Sequence, residues 1–106
     1  NEVMFKDDND HTFFVRFNPG LASIVPGDYT AVGANAYSSA DALEFDGYNT
    51  CVMVDYGDYI YPDDYANVSL NVQQEGDYYC ITLFTSAGSY GADGRTCRAV
   101  YIGKIK

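Results

Sequence analysis

The chain has 106 residues, enough for one domain and too few for a second lobe. Hydrophobic residues make up 47 % and charged residues 20 %, the balance of a globular chain rather than a disordered one. Fifteen acids against six bases give a net charge of −9. That excludes ordinary electrostatic binding to nucleic acid or to an anionic membrane surface, because both require cations.

In chain order, Glu2–Lys6 is a short strand candidate, and Asp7-Asp8-Asn9-Asp10-His11 is the turn that follows it. Thr12–Asn18 reads T-F-F-V-R-F-N, rich in strand formers. Asn18-Pro19-Gly20 and Pro26-Gly27-Asp28 are turn signals, and Asp28–Val32 is a further short strand. Ser38–Phe45 is the single helix candidate, with Ser38 as an N-cap, although its length is marginal for a helix. Thr50–Tyr56 and Asp58–Tyr61 read as strands. Val68, Leu70 and Val72 then alternate with Ser69, Asn71 and Gln73, and Tyr79, Ile81 and Leu83 alternate with Cys80, Thr82 and Phe84.

Glu75-Gly76-Asp77 lies between these two alternating runs, so 67–86 is expected to form a β-hairpin. Asp93-Gly94 marks the next turn before Arg95–Ile105, which gives a three-strand meander from Ala66 to Ile105. The expectation is a single all-β domain over 1–106. It would be an antiparallel β-sandwich or small barrel of about 7–9 strands, ending in that meander.

The charges are unevenly placed. Lys6, Arg16, Arg95, Arg98, Lys104 and Lys106 are the only Lys and Arg residues, and none falls between Phe17 and Gly94. That base-free stretch holds eleven acids, from Asp28 to Asp93. The plainest consequence is a solvated acidic surface that keeps the protein soluble. If the first and last strands lie side by side, one region should be mixed in charge and another strongly acidic.

Cys51, Cys80 and Cys97 are odd in number and lack a C-x-x-C pair, so with the lone His11 they look nothing like a structural zinc site. One disulfide plus a buried thiol, and three buried reduced thiols borne on strands, both remain open. No stretch approaches the length of a membrane-spanning helix. No signal peptide is visible, and Asn1 is not an initiator Met, which suits a mature or trimmed form.

Several motifs taken in order resemble those of small β-domains in secreted Bacteroidetes lipoproteins. Ile24-Val25-Pro26-Gly27-Asp28-Tyr29-Thr30 resembles their "L-P-x-G-x-Y-T" entry, with the spacer between Pro26 and Gly27 missing. Asn67-Val68-Ser69-Leu70-Asn71-Val72 is similar to their "G-T-V-T-V" strand, and Gly76-Asp77-Tyr78-Tyr79-Cys80-Ile81-Thr82-Leu83 to their "G-D-x-Y-x-I-x-L" strand. Asp93-Gly94-Arg95-Thr96 and Tyr101-Ile102-Gly103-Lys104-Ile105 resemble the closing "D-G-K-T…Y-x-G-x-I". Two further departures are the insert Ser86–Ala92 and the presence of three Cys. The resemblance implies an all-β domain that is exported and often lipid-anchored, and it supplies no catalytic motif.

The residue inventory argues against an enzyme. His11 is the only histidine, so any nucleophile–His arrangement must use it, and it sits in a turn. There is no G-x-S-x-G, H-E-x-x-H or phosphate-binding glycine loop. Twelve Asp and three Glu make chance carboxylate pairs common, so a glycosidase-like pair is a weak signal. The Asp7–Asp10 cluster offers hard oxygen ligands to calcium but lacks the central Gly and distal Glu of an EF-hand, and an acidic hairpin turn explains it as well. Asn67-Val68-Ser69 fits the N-glycosylation pattern, but within a strand it reads as accidental.

The most distinctive block is Tyr56 to Tyr65, with four Tyr and three Asp in ten residues. Tyr56, Asp58, Tyr59, Tyr61, Asp63, Asp64 and Tyr65 combine flat rings with hydrogen-bond acceptors, which suits stacking on a sugar or anchoring a protein contact. The alternative is that alternate Tyr rings cap a hairpin core. Tyr90, in the inserted loop, is a second candidate.

The sequence therefore points to a secreted, periplasmic or outer-membrane-surface module that binds a carbohydrate or protein and catalyses nothing. No cofactor and no nucleic acid is expected, and a membrane only through a lipid anchor outside this chain. The acidic block should favour a neutral or cationic ligand. The rival readings are an acidic inhibitor that mimics nucleic-acid charge and a small hydrolase.

Overall fold

A computed structural model of the chain describes residues 2–6, 9, 11–55, 58–60, 68–85 and 97–105, of which 54, 55 and 58–60 are described by their backbone. Nine strands lie among these residues: β1 (Glu2–Lys6), β2 (Thr12–Arg16), β3 (Gly27–Val32), β4 (Glu44–Asp46), β5 (Cys51–Asp55), β6 (Asp58–Ile60), β7 (Val68–Glu75), β8 (Tyr78–Thr85) and β9 (Cys97–Lys104). They form two sheets, ordered β1-β2-β5-β6 and β4-β3-β7-β8-β9. The fold is an all-β sandwich, and the described strands do not close into a barrel.

The expected meander is present, with β7, β8 and β9 pairing in continuous antiparallel register. Glu75 faces Tyr78 across a two-residue loop, and Gly76, the first loop residue, takes a φ of 58°. A glycine with positive φ there gives the tight turn the twist its strands need. Along the meander the predicted alternation becomes two faces. Leu70, Val72, Ile81 and Leu83 are buried, whereas Ser69, Gln73 and Phe84 are exposed.

Two expectations are corrected. Ser38–Phe45 forms no helix: a bend and a turn occupy 38–41 and its end enters β4. Eight residues are too few to stabilise a helix by themselves, and other partners take the backbone groups. The Ser38 N–H and Oγ–H both donate to Glu44 Oε1, at 2.8 and 3.1 Å. Asn18 Nδ2 donates to the Ser39 and Ala42 carbonyls, at 2.7 and 3.3 Å. Phe45, completely buried, is thereby drawn into the core as a strand residue. The second correction concerns strand direction, because β4 pairs with β3 in parallel, so the sheets are not wholly antiparallel.

The same corner joins the sheets. Phe17, just beyond β2, bridges to Phe45 of β4, and the Asn18 N–H donates to the Glu44 carbonyl at 2.8 Å. Gly20 lies so close to Ala40 that a Cβ would come within 2.5 Å of its carbonyl oxygen. The turn after β4 is held by Asp46, whose fully buried carboxylate accepts from the Tyr48 and Asn49 N–H groups and from Asn49 Nδ2, at 2.9, 3.1 and 2.7 Å. Arg16 lies 3.7 Å from the same carboxylate and 3.5 Å from Glu2.

The core draws on both sheets: Phe5, Phe13, Val15 and Val52 from the first, and Tyr29, Phe45, Leu70, Val72, Ile81 and Leu83 from the second, with Phe17 and Leu21 beside them. Ring contacts tie the layers together. Phe17 meets Tyr29 edge-on at 5.3 Å and Phe5 lies 4.6 Å from Tyr101, while within the first sheet Phe5 stacks on Phe13 at 4.5 Å.

Candidate functional site

Strand alternation places one set of side chains of β3, β7, β8 and β9 on the outer face of the five-stranded sheet. Register arranges them in rows: Asp28, Asn71, Thr82 and Val100; then Ser69, Phe84 and Arg98; then Gln73, Cys80 and Ile102. Ser69, Asn71, Gln73, Thr82, Phe84 and Arg98 line an open groove of about 440 Å³. Phe84 is 40 % exposed, an aromatic ring on the solvent side of a strand. Asn71 Nδ2 donates to Asp28 Oδ1 at 2.7 Å, which fixes the amide plane beside the groove. Amide, hydroxyl and guanidinium groups around one exposed ring can meet a ligand that is polar at its edge and apolar on its face.

A larger cleft, of about 590 Å³, lies between the sheets along β9. Phe5, Phe13, Val52 and Met53 form one wall, and every residue from Cys97 to Ile102 forms the other. Lys6, His11 and Thr12 complete the lining, so the cleft holds the chain's single histidine together with Cys97.

The terminal strands do meet, but across the sandwich rather than as hydrogen-bonded neighbours, through Phe5 and Tyr101. Lys6 and Arg98 consequently line one cleft. Lys104 places its ammonium 5.3 Å from the centre of the Tyr78 ring.

Of the residues singled out from sequence, Asp58 and Tyr59 belong to β6, at the edge of the four-stranded sheet, where Tyr59 pairs with Met53 and Asp58 with Asp55. Tyr56, Tyr61, Asp63, Asp64, Tyr65 and Tyr90 lie outside the described residues, as do Asp7, Asp8 and Asp10 of the acidic turn and Asn67 of the glycosylation pattern. Among the described residues no group of three or more His, Cys, Asp or Glu side chains is placed to hold a metal ion. Cys51, Cys80 and Cys97 stand on β5, β8 and β9 outside any disulfide, half-buried rather than fully buried. Burial pushes the Cys51 thiol above its ordinary pKa, so it is a weak nucleophile at neutral pH.

The outer groove escaped sequence reasoning. Its signal was present in the solvent-side positions of the hairpin: uncharged Ser69, Asn71 and Gln73 on one strand, and a phenylalanine on the next where a polar residue belongs. Comparison with protein-family models, curated proteins and solved structures finds no match to this chain.

Proposed function

We propose that the protein is a non-catalytic binding module that acts outside the cytoplasm and takes a carbohydrate on the outer face of the β7–β8–β9 meander. The observation that carries this reading is the groove of Ser69, Asn71, Gln73, Thr82 and Arg98 around the exposed ring of Phe84. A sugar presents apolar C–H faces to a ring and equatorial hydroxyls to planar amides and guanidinium groups. A preset Asp28–Asn71 pair lowers the ordering cost of such contacts. The extracytoplasmic address rests on the motif resemblance from Ile24 to Ile105. The rival acidic-inhibitor reading has less behind it: Arg16 lies 3.5 Å from Glu2, which mixes charge where that reading needs carboxylates alone.

The test is a glycan array probed with and without calcium, followed by titration calorimetry on any hit. Phe84→Ala and Gln73→Ala are each expected to weaken binding about tenfold, equivalent to about 1.4 kcal/mol. Their melting temperatures should stay near that of the parent, because both side chains are exposed. Tyr59→Ala and Tyr61→Ala provide the contrasting arm. Loss of binding in these variants, with Phe84→Ala unaffected, would move the site to the Tyr/Asp block. Silence on the array with and without calcium would overturn the carbohydrate reading.

A further inference from the structure

Strand β9 ends the five-stranded sheet, and among the described strands it pairs only with β8. An edge strand presents half of its N–H and C=O groups to whatever lies beside it. The cleft between the sheets runs along this edge. Its lining takes six consecutive β9 residues, Cys97 to Ile102, inward-facing and outward-facing alike. A cavity beneath a strand's face would take alternate residues. One that takes every residue follows the strand's edge, and at about 3.3 Å per residue this run offers roughly 20 Å.

On the outer side of β9, Val100 and Ile102 are 49 % and 74 % exposed. They stand between Arg98 and Lys104, and β9 carries no acid in a chain of net charge −9. Lys6 adds a further base to the cleft lining.

We propose that the β9 edge is a docking site for an extended, acidic segment of a partner protein, which adds as a further antiparallel strand. Alternate side chains of the added strand enter the cleft toward Phe5, Phe13 and Tyr101, and the others cover Val100 and Ile102. Carboxylates at its ends meet Arg98 and Lys104. Backbone hydrogen bonds supply the affinity and the alternating pockets the specificity, as in other strand-addition modes. The partner's acidity is set by complementarity: β9 is basic, whereas the acid-rich remainder of the surface repels the same peptide. This inference shares Arg98 with the outer-face groove but does not rest on it, since the added strand pairs along the β9 edge and its inward side chains enter the cleft.

The probe is a dye-labelled heptapeptide of alternating valine and threonine with glutamate at both ends, followed by fluorescence anisotropy. The wild-type chain is expected to bind it. Ile102→Lys should weaken binding at least tenfold, as should a peptide N-methylated at alternate residues, which cannot pair along one edge. Lysine in place of the terminal glutamates should do the same. Circular dichroism of Ile102→Lys checks folding, and the modified peptides test the proposal on the unaltered protein. Equal binding of the N-methylated peptide would overturn strand addition, and equal binding of the lysine-ended peptide would overturn the acidic preference. Absence of peptide binding would overturn the proposal, as would self-association of the chain abolished by Ile102→Lys, which would assign the edge to a second copy.

Discussion

Single side chains brace this fold at its irregular points. The Tyr29 hydroxyl donates to the Val25 carbonyl at 2.7 Å and accepts from the Val25 N–H at 3.1 Å, closing the loop that leads into β3. Burial raises its pKa above 10.0; the Val25 backbone contact opposes this, and the neighbouring Tyr79 adds to it. Folded Tyr29 thus holds its proton more tightly than unfolded Tyr29. The resulting stabilisation is fully present below the unfolded value near 10 and is lost as pH rises through the raised folded value. Tyr29→Phe should cost about 1–2 kcal/mol at pH 7 through the lost hydrogen bonds. It should also lose less stability than the parent between pH 9 and 11. Urea unfolding across that range measures both, and an identical alkaline loss in parent and variant would refute the assignment.

At the scale of elements, two glycines separate conformation from crowding. At Gly76 a Cβ meets nothing within 4 Å, so Gly76→Ala tests only the positive φ and should cost about 1 kcal/mol. At Gly20 a Cβ strikes the Ala40 backbone, so Gly20→Ala must push the turn at Ala40 away from the turn at 19–20 and should cost about 2–3 kcal/mol. Urea midpoints rank the two variants, and a Gly76→Ala loss as large as that of Gly20→Ala would refute the distinction. The hairpin was legible because strict alternation and Gly76 agree on one register. Strand β4 was not legible, because its three residues carry no periodicity of their own. It exists because Phe45 is buried opposite Phe17 and because Asn18, distant in sequence, grips the turns before it.

For the molecule as a whole, a charge of −9 on 106 residues makes self-repulsion a general destabilising contribution. Salt shortens its reach, with a screening length of about 30 Å at 0.01 M and about 8 Å at 0.15 M. The melting temperature should therefore rise by about 4–8 °C over that interval, the shift expected for about 1 kcal/mol in a domain of this size. Differential scanning calorimetry at the two salt concentrations checks it. A fall in melting temperature would mean that Arg16–Glu2 and the other ion pairs outweigh the repulsion.

The amino-acid order was sufficient for the class of fold, the meander and the inward set Leu70, Val72, Ile81 and Leu83, because side chains on a strand alternate and half-buried sheets record that alternation directly. It also located the bases at the two ends of the chain, but not how those ends meet. Their convergence required sheet stacking, which sets Phe5 against Tyr101 and brings Lys6 and Arg98 to one cleft. The outer groove has the same origin. Its six residues come from three strands, and only cross-strand register makes neighbours of Ser69, Phe84 and Arg98. Local pattern decides which face each side chain occupies, whereas pairing between distant segments decides what stands beside it.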